Sequence, residues 1–210
     1  MSKLSPALML KSADNSVASP QTRILDVART LFCRDGIHAT GIDRILAEAG
    51  ASKMTLYARF GSKESLLRAV LAAEGEDWRR RFFTRLADAG PDPAAQLRAI
   101  IPALGDWFSG GKFYGCAFMN AVSEHRKDES WLREMAAAHH REILERFAAM
   151  GAAARYAEPA LLARQLLLLI DGAIAALMVS GDATVLDIAQ RNLDAILHVA
   201  ASAPTDITAG

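Results

Sequence analysis

Residues 52 to 59 hold the side chains whose types and spacing most clearly indicate a chemistry. Hydroxyls, cations and one phenol follow one another there along what reads as a short helix: Ser52, Lys53, Met54, Thr55, Tyr57 and Arg59. Such groups bind phosphates and base edges, and the major groove of B-DNA is wide enough to admit a helix. The segment therefore predicts a helix that contacts double-stranded DNA.

The order of these side chains suggests individual roles. Lys53 lies near the start of the helix, where recognition helices touch base edges, and is expected to reach guanine acceptors or a phosphate. Met54 and Thr55 are placed to meet a thymine methyl group, and Tyr57 is expected to hydrogen-bond a phosphate.

The helices on either side of this segment also begin with polar residues. Thr40 and Lys63 are expected to lie at their N-termini, where free backbone N–H groups beside a hydroxyl or an ammonium form phosphate clamps. In the alternative interpretation, the hydroxyl residues are only helix caps and the cations only face solvent.

Two short amphipathic helices must position this polar face. The first is predicted to begin at Thr40, with an apolar side that packs inward, and to end at Gly50. The three small residues 49–51 allow a tight turn, after which Ser52 caps the second helix. Because Leu56 belongs to the apolar side of that second helix, its polar side must point outward.

A longer pattern surrounds these two helices. It runs through residues 22–67 and includes the turn, the short polar helix and a Phe-x-Ser-Lys-Glu motif after it. Its main positions are Leu31, Phe32, Gly36, Ala39, Thr40, Ile42, Ile45, Ala49–Lys53, Thr55–Tyr57, Phe60, Ser62–Glu64, Leu66 and Leu67. With these residues the chain resembles the DNA-binding domain of TetR-family transcription regulators.

This resemblance implies an all-helical homodimer that regulates transcription. An N-terminal helix-turn-helix would bind a palindromic operator, and a C-terminal domain would bind a small, largely apolar effector that controls operator binding. We therefore expect a ligand-responsive regulator, a repressor, with no catalytic residues and no cofactor.

The whole chain is predicted to be all-α, with about nine helices. Residues 1–18 are expected to form a disordered leader, residues 19–66 a three-helix DNA-binding domain, and residues 67–210 an effector-binding and dimerisation domain. Apolar residues recur at helical spacing, and no segment has the period of two that is typical of a strand. The composition, 51% hydrophobic and 23% charged, is that of a globular protein.

Glycine and proline set several of the expected helix limits. Pro102 is expected to kink the helix that follows Pro93, because proline removes a helical hydrogen bond. Gly151 is expected to end the helix that begins at Ser130, and Gly36 to end the helix that Ser19 caps.

Aromatic residues in the C-terminal part predict a largely apolar effector cavity. The expected lining residues are Trp78, Phe82, Trp107, Phe108, Phe113, Cys116, Asn120 and Asp171. Plain core packing is the alternative for each aromatic side chain. Asp171 lies in an apolar helix and needs a partner, so it either pairs with Arg164 or another cation or faces the cavity.

Cys116 permits more than one interpretation. A thiol at the start of a helix is activated by the helix dipole, which suits an oxidant or electrophile sensor; a small buried apolar residue is the favoured interpretation. A rival function is a helical thiol-dependent enzyme that uses His125, His139 or His140 as its base. A helical adaptor that binds only protein, without salt-dependent affinity for DNA, is a third.

Two segments near the C-terminus, 159–180 and 183–202, carry more apolar residues than one core-facing stripe requires. We expect them to form an isologous four-helix interface with a second copy of the chain. Arg164, Gln165 and Asp171 interrupt the first segment, which is therefore interpreted as a buried helix rather than a membrane span. Two cysteines and no secretion signal favour a cytoplasmic location.

The distribution of charge is more informative than its sum. Lys and Arg total 24, as do Asp and Glu. Residues 1–70, however, carry ten basic and six acidic side chains, which favours an anionic partner for this part of the chain. The adjacent His139 and His140 point about 100° apart on a helix and chelate poorly, so no metal is expected.

Overall fold

The chain folds into ten α-helices and no strand over the residues that the computed structural model describes, 18–111, 113–125 and 130–202. In chain order the helices are α1 Pro20–Asp35, α2 Ile42–Ala49, α3 Lys53–Phe60, α4 Lys63–Ala87, α5 Pro93–Arg98, α6 Ile100–Ser109, α7 Ala117–Glu124, α8 Ser130–Ala153, α9 Pro159–Ser180 and α10 Thr184–Ser202. The all-α prediction is confirmed. Apart from Ala18, the predicted leader lies outside the described residues.

Serine side chains cap three of the first four helices. The hydroxyls of Ser19, Ser52 and Ser62 each accept a hydrogen bond from the backbone N–H three positions further on. Each bond satisfies one of the four N–H groups that a helix leaves free at its start. The predicted caps of α1 and α3 are thus confirmed.

Thr40, in contrast, does not cap α2. The N-cap is Gly41, and α2 begins at Ile42. Thr40 is fully buried, and its hydroxyl donates to the carbonyl oxygen of Gly36 at 2.7 Å. A buried carbonyl needs a donor, so Thr40 stabilises the loop between α1 and α2 from inside and offers no hydroxyl to DNA.

Two further helix limits differ from the prediction. The helix expected after Pro93 is two helices that meet at Ala99, and Pro102 lies in the first turn of α6, where an N–H has no intrahelical partner to lose. Gly151 does not end α8; a Cβ at this buried glycine would lie 3.2 Å from Cβ of Pro159. The close packing of α8 on α9 leaves little room for a larger side chain at position 151, which explains the glycine there.

Two apolar clusters hold the helices together. One joins the C-terminal half of α4 to α5, α6, α8, α9 and α10. The other joins α1, α2, α3 and the first turns of α4, and it includes Phe118 and Ala121 of α7 and Leu132 of α8. Helices α4, α7 and α8 therefore pack against the N-terminal helices as well as against the rest of the chain.

α9 is, within the described ranges, the one helix long and apolar enough to cross a membrane. A core helix meets the same criteria, and α9 buries eight residues while packing against α6, α8 and α10. The helix is therefore part of the protein core on one side, in agreement with its interpretation from sequence.

Candidate DNA-binding surface and effector cavity

A tight turn between α2 and α3 sets the orientation of α3. Gly50 has φ 57° and ψ 45°, in the left-handed region that favours glycine. Its N–H donates to the carbonyl oxygen of Ala47, and the N–H of Ala51 donates to that of Leu46. These bonds satisfy the free carbonyl groups at the end of α2 and fix the direction in which the chain leaves it.

Arg23 of α1 braces this turn from behind. Its guanidinium donates to the carbonyl oxygens of Ala49 at 2.9 Å and Gly50 at 3.1 Å. Arg23 was not singled out from the sequence, because an arginine that binds distant backbone carbonyls leaves no spacing signal. Helices α1 and α2 thus fix the corner from which α3 projects.

α3 turns its apolar side inward and its polar side outward. Leu56 is fully buried, whereas Met54 is 80% and Tyr57 50% exposed. The rest of the predicted face is exposed or half-buried: Ser52, Lys53, Thr55 and Arg59. The six predicted side chains of residues 52–59 therefore lie at the surface around one short helix.

Lys53 is held at this surface by an exchangeable ion pair. Its Nζ lies 2.8 Å from Oδ1 of Asp43, and both side chains are exposed. The hydrogen bond to Asp43 raises the pKa of Lys53, which keeps the ammonium charged. Because an exposed pair of this kind contributes little stability, an incoming phosphate can replace the carboxylate.

Lys63, in contrast, is bound to the backbone of the α1–α2 loop. Its Nζ donates to the carbonyl oxygen of Ile37 at 2.7 Å and lies 5.9 Å from the centre of the Phe32 ring. Burial lowers the pKa of this ammonium. The hydroxyl of Thr40 and the ammonium of Lys63, both predicted as phosphate clamps, thus each donate to a backbone carbonyl oxygen of the α1–α2 loop.

A partly enclosed cavity lies between α4, α6, α7, α8 and α9. Its wall is formed by Glu74, Gly75, Trp78, Trp107, Gly115, Cys116, Ala117, Phe118, His139, His140, Ile143, Leu167, Ile170, Asp171 and Ile174. Trp78, Trp107, Cys116 and Asp171 were predicted to line it. The cavity is narrow, with a volume of about 30 Å³, space for about two or three water molecules. A larger guest must therefore displace the wall.

Three of the predicted aromatic residues lie behind this wall instead of in it. Phe82 is buried and stacks on Trp78, with ring centres 4.7 Å apart. Phe113 meets Trp107 edge-on at 4.9 Å, and Phe108 in turn meets Phe113 at 5.3 Å. These rings hold the two tryptophans in place, because edge-on and stacked aromatic pairs are favourable.

Asn120 also lies outside the cavity wall. Its side-chain amide donates to the carbonyl oxygen of Tyr114 at 2.8 Å. This bond ties the loop before α7 to α7 itself. Asn120, predicted to line the cavity, is not among the wall residues, and its amide N–H is bonded to the backbone.

Three polar wall residues, Glu74, His139 and His140, were not predicted for the cavity, and the first two have partners far away in the chain. Glu74 forms an ion pair with Arg29 of α1. His139 accepts a hydrogen bond from Arg79 at 2.7 Å, and burial lowers its pKa to about 3, so it is neutral. Their partners are 45 and 60 positions away in the chain, so sequence spacing gave no signal for either.

Asp171 faces the cavity, and its partner is His140 rather than Arg164. The Nε2 atom of His140 lies 3.6 Å from Oδ2 of Asp171. Burial raises the pKa of Asp171, although the nearby His140 acts in the opposite direction. Of the two alternatives left open by the sequence, the structure therefore places Asp171 in the cavity wall.

Cys116 lines the cavity and contacts both apolar clusters. Burial raises the pKa of its thiol, although backbone N–H groups of Met119 and Phe118 act in the opposite direction. Burial also raises the pKa of Cys33, to about 12. Neither thiol has the activated character that the enzyme alternative requires. In the described part of the chain, no group of three or more potential metal ligands occurs.

The N-terminal residues match a known family. Residues 24–70 fit the model of "Bacterial regulatory proteins, tetR family". An uncharacterised HTH-type transcriptional regulator of Mycobacterium tuberculosis is 34% identical over 97 residues, 41% of this chain and 48% of that protein. The HTH-type transcriptional repressor KstR2 of Rhodococcus jostii is 35% identical over 81 residues, 39% of each chain. The chain thus covers less than half the length of these curated relatives.

Solved structures resemble the chain over most of its length. A TetR-family transcriptional regulator from Streptomyces coelicolor is 28% identical with a TM-score of 0.79, over 87% of this chain and 96% of that one. A TetR-family regulator from Cytophaga hutchinsonii has a TM-score of 0.77 at 16% identity, over 92% and 100% of the two chains. The likeness in fold therefore extends from the N-terminal helices to the C-terminal ones.

Both thiols are expected to resist alkylation in the folded protein. Iodoacetamide at about pH 8 should modify Cys33 and Cys116 at least about a hundredfold more slowly than a free thiol, because burial raises both pKa values and leaves little thiolate. Mass spectrometry of timed samples measures both rates, and urea-unfolded protein is the control. Fast modification of Cys116 in the folded chain would instead support a thiol-dependent activity.

Proposed function

We propose that this chain is a cytoplasmic DNA-binding transcriptional regulator, a repressor that leaves a palindromic operator when a small molecule enters its cavity. Its residues 24–70 match the tetR family model, and its fold is similar to that of a TetR-family regulator. The observation that carries this proposal is the outward polar face of α3 beside the tight α2–α3 turn. One relative is named a repressor, which supports the negative sign of regulation.

Side chains of α3 supply two kinds of contact with DNA in this proposal. Lys53 and Arg59 bring cations to phosphates, and such contacts supply affinity that is independent of sequence. Met54 and Thr55 lie at the exposed first turn, where they meet base edges and add sequence preference. Tyr57 places a hydroxyl at the same surface for a phosphate.

Removing two of these side chains together is expected to weaken DNA binding. The double variant Lys53→Ala, Tyr57→Ala should bind the palindrome upstream of the protein's own gene at least about tenfold more weakly, with a smaller salt dependence because a phosphate contact is lost. Fluorescence anisotropy at several salt concentrations measures both. The matched control is Arg141→Ala, an exposed cation on α8. Unaltered affinity of the double variant would contradict the assignment of α3.

The outer faces of α9 and α10 support a homodimer. Leu168 and Val179 of α9 are 75% and 89% exposed, and Ile188 and Val199 of α10 are 60% and 66% exposed. Residues eleven positions apart share one face of a helix, and the two helices pack side by side. A second copy of the same pair would bury both apolar stripes in a four-helix interface. The two α3 helices could then enter major-groove segments about 34–36 Å apart.

A charge placed on this apolar stripe is expected to separate the subunits. Leu168→Glu should convert the dimer to a monomer, because a carboxylate at the centre of the interface loses its hydration without a partner. Sedimentation velocity at micromolar protein measures the change. Ala137→Glu, which adds the same charge to an exposed position of α8, should remain dimeric. A dimeric Leu168→Glu protein would place the interface elsewhere.

α7 connects the cavity to the loop that leads into α2. Its first residues, Ala117 and Phe118, belong to the cavity wall. Its last residue, Glu124, accepts hydrogen bonds from the backbone N–H groups of Ile37 at 2.8 Å and His38 at 3.2 Å. The eight residues of α7 span about 12 Å, so a guest that displaces Phe118 also shifts this loop. A ligand that binds the displaced arrangement better would change the position of α3.

Loss of the Glu124 contact is expected to weaken DNA binding without unfolding the protein. Glu124→Ala removes the acceptor of the Ile37 and His38 backbone N–H groups, so this part of the loop becomes more mobile. Ordering it again on DNA costs about 1 kcal/mol or more. This cost corresponds to about a fivefold loss of affinity for DNA. Hydrogen exchange at these two amides should accelerate. Glu134→Ala, at an exposed position of α8, is the control. Unchanged exchange and unchanged affinity would exclude this route.

A further inference from the structure

The charged groups of the cavity wall have one sign. Glu74 and Asp171 both belong to the wall, and no lysine or arginine occurs among its described residues. The remaining titratable groups are Cys116, whose thiol pKa is raised, His139, which is neutral, and His140, which lies beside Asp171. Arg29 pairs with Glu74 from outside the wall, whereas Asp171 has no ion pair with an arginine or lysine among the described residues. An anionic guest would therefore meet the Asp171 carboxylate without a cation of the wall to offset it.

Aromatic rings complete the wall around these carboxylates. Trp78, Trp107 and Phe118 all line the cavity. The face of an aromatic ring attracts a cation, and the attraction is strongest for tryptophan and for sites shielded from water. Aliphatic residues of α8 and α9 supply the rest of the surface, which suits an apolar body attached to a charged group.

We propose that the effector is an apolar organic cation whose positive group binds between the carboxylates of Glu74 and Asp171 and against the tryptophan rings. This inference rests on the proposed function, because it names the chemical class of the ligand for the same cavity. A protonated amine and a quaternary ammonium ion both belong to this class.

Asp171 has the capacity to bind such a group. Its recorded partner among the described residues is His140, and the 3.6 Å between the two atoms is longer than a good hydrogen bond. The pKa of Asp171 is raised because burial disfavours its charged form. A cation in the cavity would stabilise that charged form. Binding would therefore offset part of the free-energy cost of burying the Asp171 carboxylate.

Glu74 connects the bound cation to the DNA-binding helices. Its carboxylate pairs with Arg29 of α1, and the same guanidinium lies 2.6 Å from Asp77 of α4. A cation in the cavity competes with Arg29 for Glu74. Arg29 keeps Asp77 as a partner, so this competition leaves no buried charge unpaired. It weakens one contact between α1 and α4, the ion pair of Arg29 with Glu74.

Three ligands with one carbon skeleton test the preference for charge. Phenylbutylamine is a cation, phenylbutanol is neutral and phenylbutyrate is an anion near neutral pH. Titration into the full-length protein, followed by tryptophan fluorescence and by calorimetry, should show the amine binding at least about tenfold more tightly than the alcohol and the anion binding most weakly. Equal affinities, the tightest binding by the anion, or failure of the amine to bind at millimolar concentration overturns the inference.

Isosteric variants then test the two carboxylates. Asp171→Asn and Glu74→Gln keep the shape of each side chain, so each should lower the affinity for the amine about tenfold and change that for the alcohol less than about twofold. Retained binding of the alcohol also shows that the cavity is folded. Glu145→Gln, at an exposed position of α8, is the matched control. A preference for the amine that survives in the double variant overturns the assignment.

Operator binding by the wild-type protein separates this inference from the proposed function. The amine should lower operator affinity at least fivefold, whereas the anion at the same concentration should not. If the protein binds the operator but has the same affinity for all three ligands, the inference about the effector fails and the proposed regulatory function stands. If the amine is preferred but no operator is bound, the site assignment holds and the proposed function fails.

Discussion

Ile37 ties the α1–α2 loop to α7 and α4 through its two backbone polar groups, in addition to the apolar packing of these helices. Its N–H donates to the Glu124 carboxylate of α7, and its carbonyl oxygen accepts from the Lys63 ammonium of α4. Both bonds involve a charged group and are therefore stronger than bonds between neutral groups. A movement of α7 or α4 consequently reaches the loop before α2, and through it the orientation of α3.

Desolvation acts on polar groups both beside this loop and in the cavity wall. It lowers the pKa of Lys63 and His139 and raises that of Asp171. Each of these groups has a partner on another helix or loop, because a buried polar group without one is costly. In the cavity wall, a guest would meet His139 and Asp171 beside the partners that they already have, Arg79 and His140.

Local rules explain which parts of the DNA-binding surface were predictable. Serine caps, the small residues of the α2–α3 turn and the inward position of Leu56 act within a few residues, and the structure shows each of them. Thr40 and Lys63 also looked like surface groups beside helix starts. In the structure they donate instead to the Gly36 and Ile37 carbonyls of the α1–α2 loop.

The sequence by itself determined the all-helical class, the outward face of α3, the excess apolar surface of α9 and α10 and four residues of the cavity wall, because helical periodicity, capping and composition are local properties of a chain. The tertiary structure alone decided that Glu74 pairs with Arg29, that Asp171 faces the cavity beside His140, and that Glu124 holds the loop before α2. Each of these contacts joins residues from 31 to 87 positions apart. Such pairings depend on how whole helices pack, which side-chain type and spacing do not specify.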